Sequence, residues 1–127
     1  MAKGKFYACR KEGNIVGVIQ EGTGTLECCG EPMQELVPNT TDAAQEKHVP
    51  VIRVDGHLVT VQIGSVLHPM ITEHFIQWIY LETKRGGQRK TLAPGDAPTV
   101  VFALTEDDTP VAAYAYCNLH GLWKAKV

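Results

Sequence analysis

Val51-Ile52-Arg53-Val54-Asp55-Gly56-His57-Leu58-Val59-Thr60-Val61 sets two β-branched runs on either side of an Asp-Gly pair. β-Branched residues suit a pleated surface, and Asp-Gly is a strong signal for a two-residue hairpin turn. The stretch predicts a β-hairpin, and more strands follow it. His74-Phe75-Ile76-Gln77-Trp78-Ile79-Tyr80-Leu81 reads as a long, mostly buried strand, after which Arg85-Gly86-Gly87 turns the chain back. Thr99 to Leu104 and Val111 to Tyr116 are two more, and Leu122 to Val127 closes the sheet. About seven short strands separated by turn signals predict an all-β fold, an immunoglobulin-like antiparallel β-sandwich. No amphipathic helix and no internal repeat stands out.

Upstream of the hairpin, Pro38-Asn39-Thr40-Thr41-Asp42 is polar and turn-prone and reads as a linker. Residues 1–37 have a different character, with Gly13, Gly17, Gly22, Gly24 and Gly30 set among short apolar pairs. Such a segment suits tight turns and short strands around a metal. Ile15, Val16, Val18 and Ile19 form one strand, Glu21-Gly22-Thr23-Gly24 a turn, and Leu26 leads into a Cys28-Cys29 corner. A piece this small cannot bury enough apolar surface to stand without a metal, a disulfide or a partner. The expected organisation is a small β domain over 1–37 and a sandwich over 38–127.

The chain has 127 residues, 44% hydrophobic and 20% charged, as expected of an ordinary globular protein. A net charge of −2 gives no reason to expect nucleic acid or an anionic membrane as partner. No apolar run approaches the roughly 20 residues that span a bilayer. Met1-Ala2-Lys3-Gly4-Lys5 is positive but has no apolar stretch behind it, so it is not read as a secretory signal. The expected compartment is the cytoplasm, where thiols stay reduced. There, four cysteines read as metal ligands before they read as disulfides. A bridge between the adjacent Cys28 and Cys29 would be strained.

Cys117-Asn118-Leu119-His120 carries most of the chemistry. A thiolate and an imidazole three residues apart at a strand end can reach one metal ion together. Alone, the pair allows copper, zinc or iron. His48, His68 and His74 lie upstream and each has a bland reading, respectively as a surface, loop or core histidine. One site explains all of these positions at once. Zinc takes four ligands, usually tetrahedral. Five protein ligands, four of them imidazole, suggest a square-pyramidal iron with one open face. His57, beside the hairpin turn, is expected to be exposed.

Glu46-Lys47-His48-Val49-Pro50, His68-Pro69, Glu73-His74 and Cys117-Asn118-Leu119-His120-Gly121-Leu122-Trp123 resemble the superoxide reductase (desulfoferrodoxin) family. Phe6-Tyr7-Ala8-Cys9, Gly13-Asn14-Ile15-Val16 and Cys28-Cys29-Gly30-Glu31-Pro32-Met33 resemble the desulforedoxin-like domain of its two-iron members. The resemblance implies that His48, His68, His74 and His120 are equatorial ligands of a non-haem iron that cycles between Fe(2+) and Fe(3+). Cys117 would supply the axial sulfur, with the sixth position open to superoxide. It further implies one-electron reduction of superoxide to hydrogen peroxide, with no oxygen released. Glu46 resembles the glutamate that occupies the sixth position of the ferric resting site. Lys47 resembles the lysine that attracts the anion and helps deliver a proton, through water. The implied partners are superoxide, rubredoxin or a similar electron donor, and a second copy of the chain in a homodimer. Trp123 reads either as a dry wall beside the sulfur or as plain core.

The family's first cysteine pair is Cys-x-x-Cys followed by glycine, whereas this chain reads Cys9-Arg10-Lys11-Glu12-Gly13. A rubredoxin-type centre needs four thiolates. With Glu12 at the second position, the set Cys9, Glu12, Cys28 and Cys29 is expected to be degenerate and empty, and the N-terminal domain to survive for packing and dimerisation; since a carboxylate can ligate zinc, a three-cysteine, one-glutamate zinc site is the alternative. Two other functions compete. A cupredoxin-like electron-transfer protein uses two histidines, a cysteine and usually a methionine after the last histidine. Here Gly121-Leu122-Trp123-Lys124 follows His120, and two histidines are left over. A binding module braced by zinc leaves the Glu46-Lys47 pair without a task.

Overall fold

The computed structural model describes residues 5–127. Two compact units divide the chain, Met1–Val37 and Pro38–Val127. The first holds five very short strands: β1 (Phe6–Ala8), β2 (Ile15–Gly17), β3 (Glu27–Cys28), β4 (Glu31–Pro32) and β5 (Gln34–Glu35). β1 lies between β2 and β5, and β3 pairs with β4 alone. The strand expected over Ile15 to Ile19 stops at Gly17, and Ile19 is fully exposed. Phe6 and Cys9 are the only buried apolar residues among those described in this unit.

The second unit opens with one helical turn, α1 (Gln45–His48), which has a basic last turn and no side-chain cap. Pro50 disfavours helical φ/ψ at Val49, so the turn ends there and the chain enters β6 (Pro50–Asp55). Six strands follow: β7 (Leu58–Ile63), β8 (Ile76–Thr83), β9 (Gly86–Thr91), β10 (Thr99–Ala103), β11 (Pro110–Cys117) and β12 (Gly121–Lys126). They form two antiparallel sheets, ordered β10-β7-β6 and β12-β11-β8-β9. This is the immunoglobulin-like sandwich that the strand pattern predicts.

Three local expectations change. Asp55 pairs with Leu58, so the hairpin loop is Gly56-His57, one residue further on. Gly56 has φ 59°, as a type II′ turn asks of its first central residue. The long strand begins at Ile76, and His74 precedes it in a small bridge with Ile71. Gly86 and Gly87, read as a turn, instead start β9, whose six residues are all exposed. β9 carries no apolar pattern because it is a charged edge strand, with Arg89 and Lys90 on an unpaired margin.

The core lies between the sheets. Val59, Val61 and Ile63 of β7 and Val100 and Phe102 of β10 meet Ile76, Ile79 and Leu81 of β8 and Ala113, Ala115 and Cys117 of β11. Cys117 is the last inward-facing residue of β11, so the same period of two that builds the core aims its sulfur inward. The β8–β11 register slips between Tyr116 and Cys117, where Tyr116 faces Trp78 but Cys117 faces Ile76. This bulge returns Ile76 to the core side at the strand end that leads to His74.

Gly64, just after β7, has φ 86°, and a Cβ there would lie 2.2 Å from the Val66 carbonyl oxygen and 2.8 Å from those of Glu46 and Lys47. Only glycine lets the backbones of 46–47 and 64–66 approach this closely. Gly64→Ala should destabilise the protein by roughly 1–3 kcal/mol or more, read from urea unfolding. An unchanged midpoint would contradict this packing.

Candidate metal centre

Four short pieces of backbone deliver five donor groups. His48 ends α1, and its Nδ1–H donates to the Ala44 carbonyl at 2.7 Å. His68 lies in the loop after β7, with Nδ1–H donating to the Pro69 carbonyl at 2.7 Å. These carbonyls can only accept, so they fix the protons on Nδ1 and leave each Nε2 with a bare lone pair. The two Nε2 atoms are 3.2 Å apart. Two lone pairs cannot hydrogen-bond to each other, and both rings are buried. A shared cation satisfies both. Two nitrogens at right angles on a metal at about 2.1 Å stand about 3 Å apart, close to what is seen.

The other donors join the same point. His120 Nδ1 is 3.1 Å from His48 Nε2 and 3.8 Å from Cys117 Sγ. His74 Nε2 is buried with no hydrogen-bond partner, an orphan polar atom that needs an occupant. Donor atoms of His48, His74, Cys117 and His120 all lie within 4.8 Å of one another, and His68 joins through His48. Ring centroids run 4.7 Å (His48–His68), 4.6 Å (His68–His74), 5.1 Å (His74–His120) and 4.9 Å (His120–His48). Neighbouring rings stand nearly edge-on, while His48 and His74 are 6.3 Å apart and tilted by only 33°. The four imidazoles thus occupy the corners of a near-square, with Cys117 as a fifth donor.

Supporting contacts hold these donors in register. Cys117 pairs with Gly121 across a three-residue hairpin loop, and Gly121 takes φ 75°. Asn118, inside that loop, accepts from the Phe75 N–H at 2.9 Å and donates to the Glu73 carbonyl at 3.0 Å. Its own N–H donates to the Phe75 carbonyl at 3.2 Å. One asparagine therefore fastens the Cys117–His120 loop to both neighbours of His74. Trp123 is buried, stacks on the His48 ring at 4.8 Å and donates to the His120 carbonyl at 3.1 Å. It walls the imidazoles and is part of the core as well. Asn39, read as linker, instead bonds the backbone of Lys124 through both side-chain atoms.

Burial lowers the proton affinity of His48 and His74 and brings His68 down to about 4, with the neighbouring imidazoles adding to the effect. Burial also pushes the Cys117 thiol up, against the Leu119 and His120 N–H groups that point at its sulfur. The imidazoles are thus kept neutral, as ligands must be, while the thiol needs a cation to stay ionised. Glu46 and Lys47 are exposed on α1. Among the smaller influences on His48 and His74, the Lys47 ammonium opposes protonation of both rings. His57 is exposed at the hairpin tip.

In the first unit, the sulfurs of Cys9, Cys28 and Cys29 also lie within 4.8 Å of one another. Glu12 is exposed and does not join them. The Cys9 thiol is pulled down, chiefly by a hydrogen bond from Cys28 and then by the Glu12 N–H. As donor to Cys9, Cys28 is held up at about 12.

Asn118 went unread in the sequence because an asparagine between two ligands looks like any loop residue. Its only signal was its place inside Cys-x-x-His. The Ala44 and Pro69 carbonyls, which set two tautomers, leave no trace in residue type.

Comparison with known proteins gives a consistent picture. Residues 40–126 match the family described as Desulfoferrodoxin, and residues 2–36 match "Desulfoferrodoxin, N-terminal domain". The chain is 48% identical over 121 residues to the desulfoferrodoxin homolog of Archaeoglobus fulgidus, covering 95% of each. It is 48% identical over 122 residues to desulfoferrodoxin of Nitratidesulfovibrio vulgaris, covering 96% of this chain and 95% of that one. The superoxide reductase from Treponema pallidum superimposes with a TM-score of 0.82 at 42% identity, over 98% of this chain and 100% of the other. A superoxide reductase (1Fe-SOR) from Giardia intestinalis matches 65% of this chain and 97% of its own, with a TM-score of 0.55 and 32% identity.

Two outcomes are expected. Asn118→Ala should weaken metal retention roughly 10–100-fold in a chelator competition, the range for lost supporting contacts; unchanged retention would count against the fastening role. In metal-free protein, the buried histidines stay neutral while the unfolded chain protonates near pH 6.5. Their contribution to stability is therefore intact above about 6.5 and is lost as pH falls towards 4. A urea midpoint that does not move between pH 7 and 4.5 would contradict it.

Proposed function

The chain belongs to the desulfoferrodoxin family, and from that membership we propose that it is a superoxide reductase acting in antioxidant defence. The reaction joins superoxide, one electron and two protons to give hydrogen peroxide, and releases no dioxygen. The observation that carries this reading is the convergence of the bare His48 and His68 Nε2 atoms with the orphan His74 Nε2, His120 Nδ1 and Cys117 Sγ.

His48, His68, His74 and His120 would hold one iron per chain, with Cys117 as the sulfur ligand. Iron bound there would supply the electron of the reduction. Neutral imidazoles and a single thiolate leave a divalent ion with a net charge of about +1, to which Lys47 adds, so an anion is drawn to this end of the sandwich. Lys47 attracts superoxide and helps deliver a proton through water. Glu46, adjacent on the same turn, is the carboxylate that closes the site between turnovers. Both side chains are exposed, as suits groups that must move.

Rubredoxin or a similar carrier returns the electron, the chain works as a homodimer, and the compartment is the cytoplasm. None of the described helices is long and apolar enough to cross a membrane. The N-terminal unit carries no iron, because Glu12 stands outside the three sulfurs and a tetrathiolate centre lacks its fourth donor. It serves packing and dimerisation.

The test is the rate at which reduced, iron-loaded protein consumes superoxide, followed optically across ionic strength. Lys47→Ala should slow the encounter several-fold at low salt and flatten the salt dependence. An unchanged rate at low salt would remove Lys47 from the mechanism, and no reaction by the unaltered protein would remove the function.

A further inference from the structure

The sulfurs of Cys9, Cys28 and Cys29 form a compact set of three that the proposed reaction does not use. All four cysteines of the chain are free, and Cys28 Sγ lies 3.5 Å from Cys29 Sγ. Cys9 is buried, Cys28 half-buried and Cys29 exposed, so the set is rooted in the unit and open on one side. Two glycine-containing corners present it. Cys29 takes φ 55° and Gly30 φ 79° at one, and Gly13 takes φ 79° after the Cys9 corner at the other. The Cys9 corner is closed by Gly13 N–H donating to the Cys9 carbonyl at 2.8 Å.

The donor count does not fit the iron that this position implies. Among the described residues, no carboxylate or imidazole atom lies within 4.8 Å of all three sulfurs. A structural zinc site is closed by four ligands and fits no better. A soft ion content with three thiolates fits both the number and the type of donor. The unit also has a reason to bind one. It has five strands of two or three residues each and only Phe6 and Cys9 buried among its described apolar side chains. So small a core does not hold such a unit, and binding free energy at a metal becomes folding free energy.

We propose that Cys9, Cys28 and Cys29 bind one copper(I) ion per chain, as three thiolates, in place of tetrathiolate iron. Binding releases the protons of the thiols and changes no oxidation state. The inference rests on the reading of an iron-free N-terminal unit.

The test uses full-length protein with iron in the histidine site, titrated anaerobically with copper(I) against a colorimetric copper(I) chelator, and with zinc in parallel. One copper per chain should bind with near-ultraviolet thiolate-to-copper absorption and leave the iron in place. Cys29→Ser, altering an exposed side chain, should weaken copper binding at least about 10-fold while iron content and superoxide consumption stay unchanged. Glu12→Cys should take up a second iron with a tetrathiolate visible spectrum. One iron but no copper, copper binding indifferent to Cys29→Ser, or bound zinc that copper does not displace would each overturn the copper site alone. A second iron in the unaltered chain would overturn the reading beneath it as well.

Discussion

Everything at the working end of the sandwich depends on two imidazole nitrogens that cannot satisfy each other. The Nε2 atoms of His48 and His68 face one another at 3.2 Å, and each ring has its proton committed to a backbone carbonyl on the far side. In water such lone pairs would be hydrated. Here both rings are buried, so only a cation or a proton can occupy the space between them. The desolvation that keeps these rings neutral disfavours the proton. The fold therefore prepares a site that a metal ion completes.

That site is inexpensive to build because it extends elements the fold already has. Cys117 continues the inward period of β11 after Ala113 and Ala115, so the packing that buries Phe102 and Ile79 also buries the sulfur. His120 follows within the same hairpin loop, and Asn118 ties that loop to both neighbours of His74. His48 and His68 arrive from outside the strands. Their segments are drawn together at Gly64, whose φ of 86° lets the carbonyls of Glu46 and Lys47 come close. The sandwich supplies rigidity for sulfur and two histidines, and a glycine-dependent loop contact supplies the rest.

Much of this was legible in the chain. Apolar runs and turn signals announce six of the seven sandwich strands, each of which carries buried residues. β9 escaped because an edge strand with all six residues exposed has no apolar face to read, and its two glycines mimic a turn. The five donor residues could be named from their types and the resemblance they carry. Their arrangement could not, since the near-square of rings depends on backbone carbonyls and on Asn118 and Gly64, neither of which looks unusual in sequence. At the N-terminus, the single letter at Glu12 was enough to question tetrathiolate iron, and Glu12 is exposed.

The central claim is that the His48, His68, His74, His120 and Cys117 site holds an iron that reduces superoxide without dismuting it. The direct measurement is a titration of reduced, iron-loaded protein with superoxide, with hydrogen peroxide and dioxygen measured together. One superoxide should oxidise one iron and yield one hydrogen peroxide with no dioxygen. Dioxygen released alongside half that yield of peroxide, or iron left reduced, would contradict it.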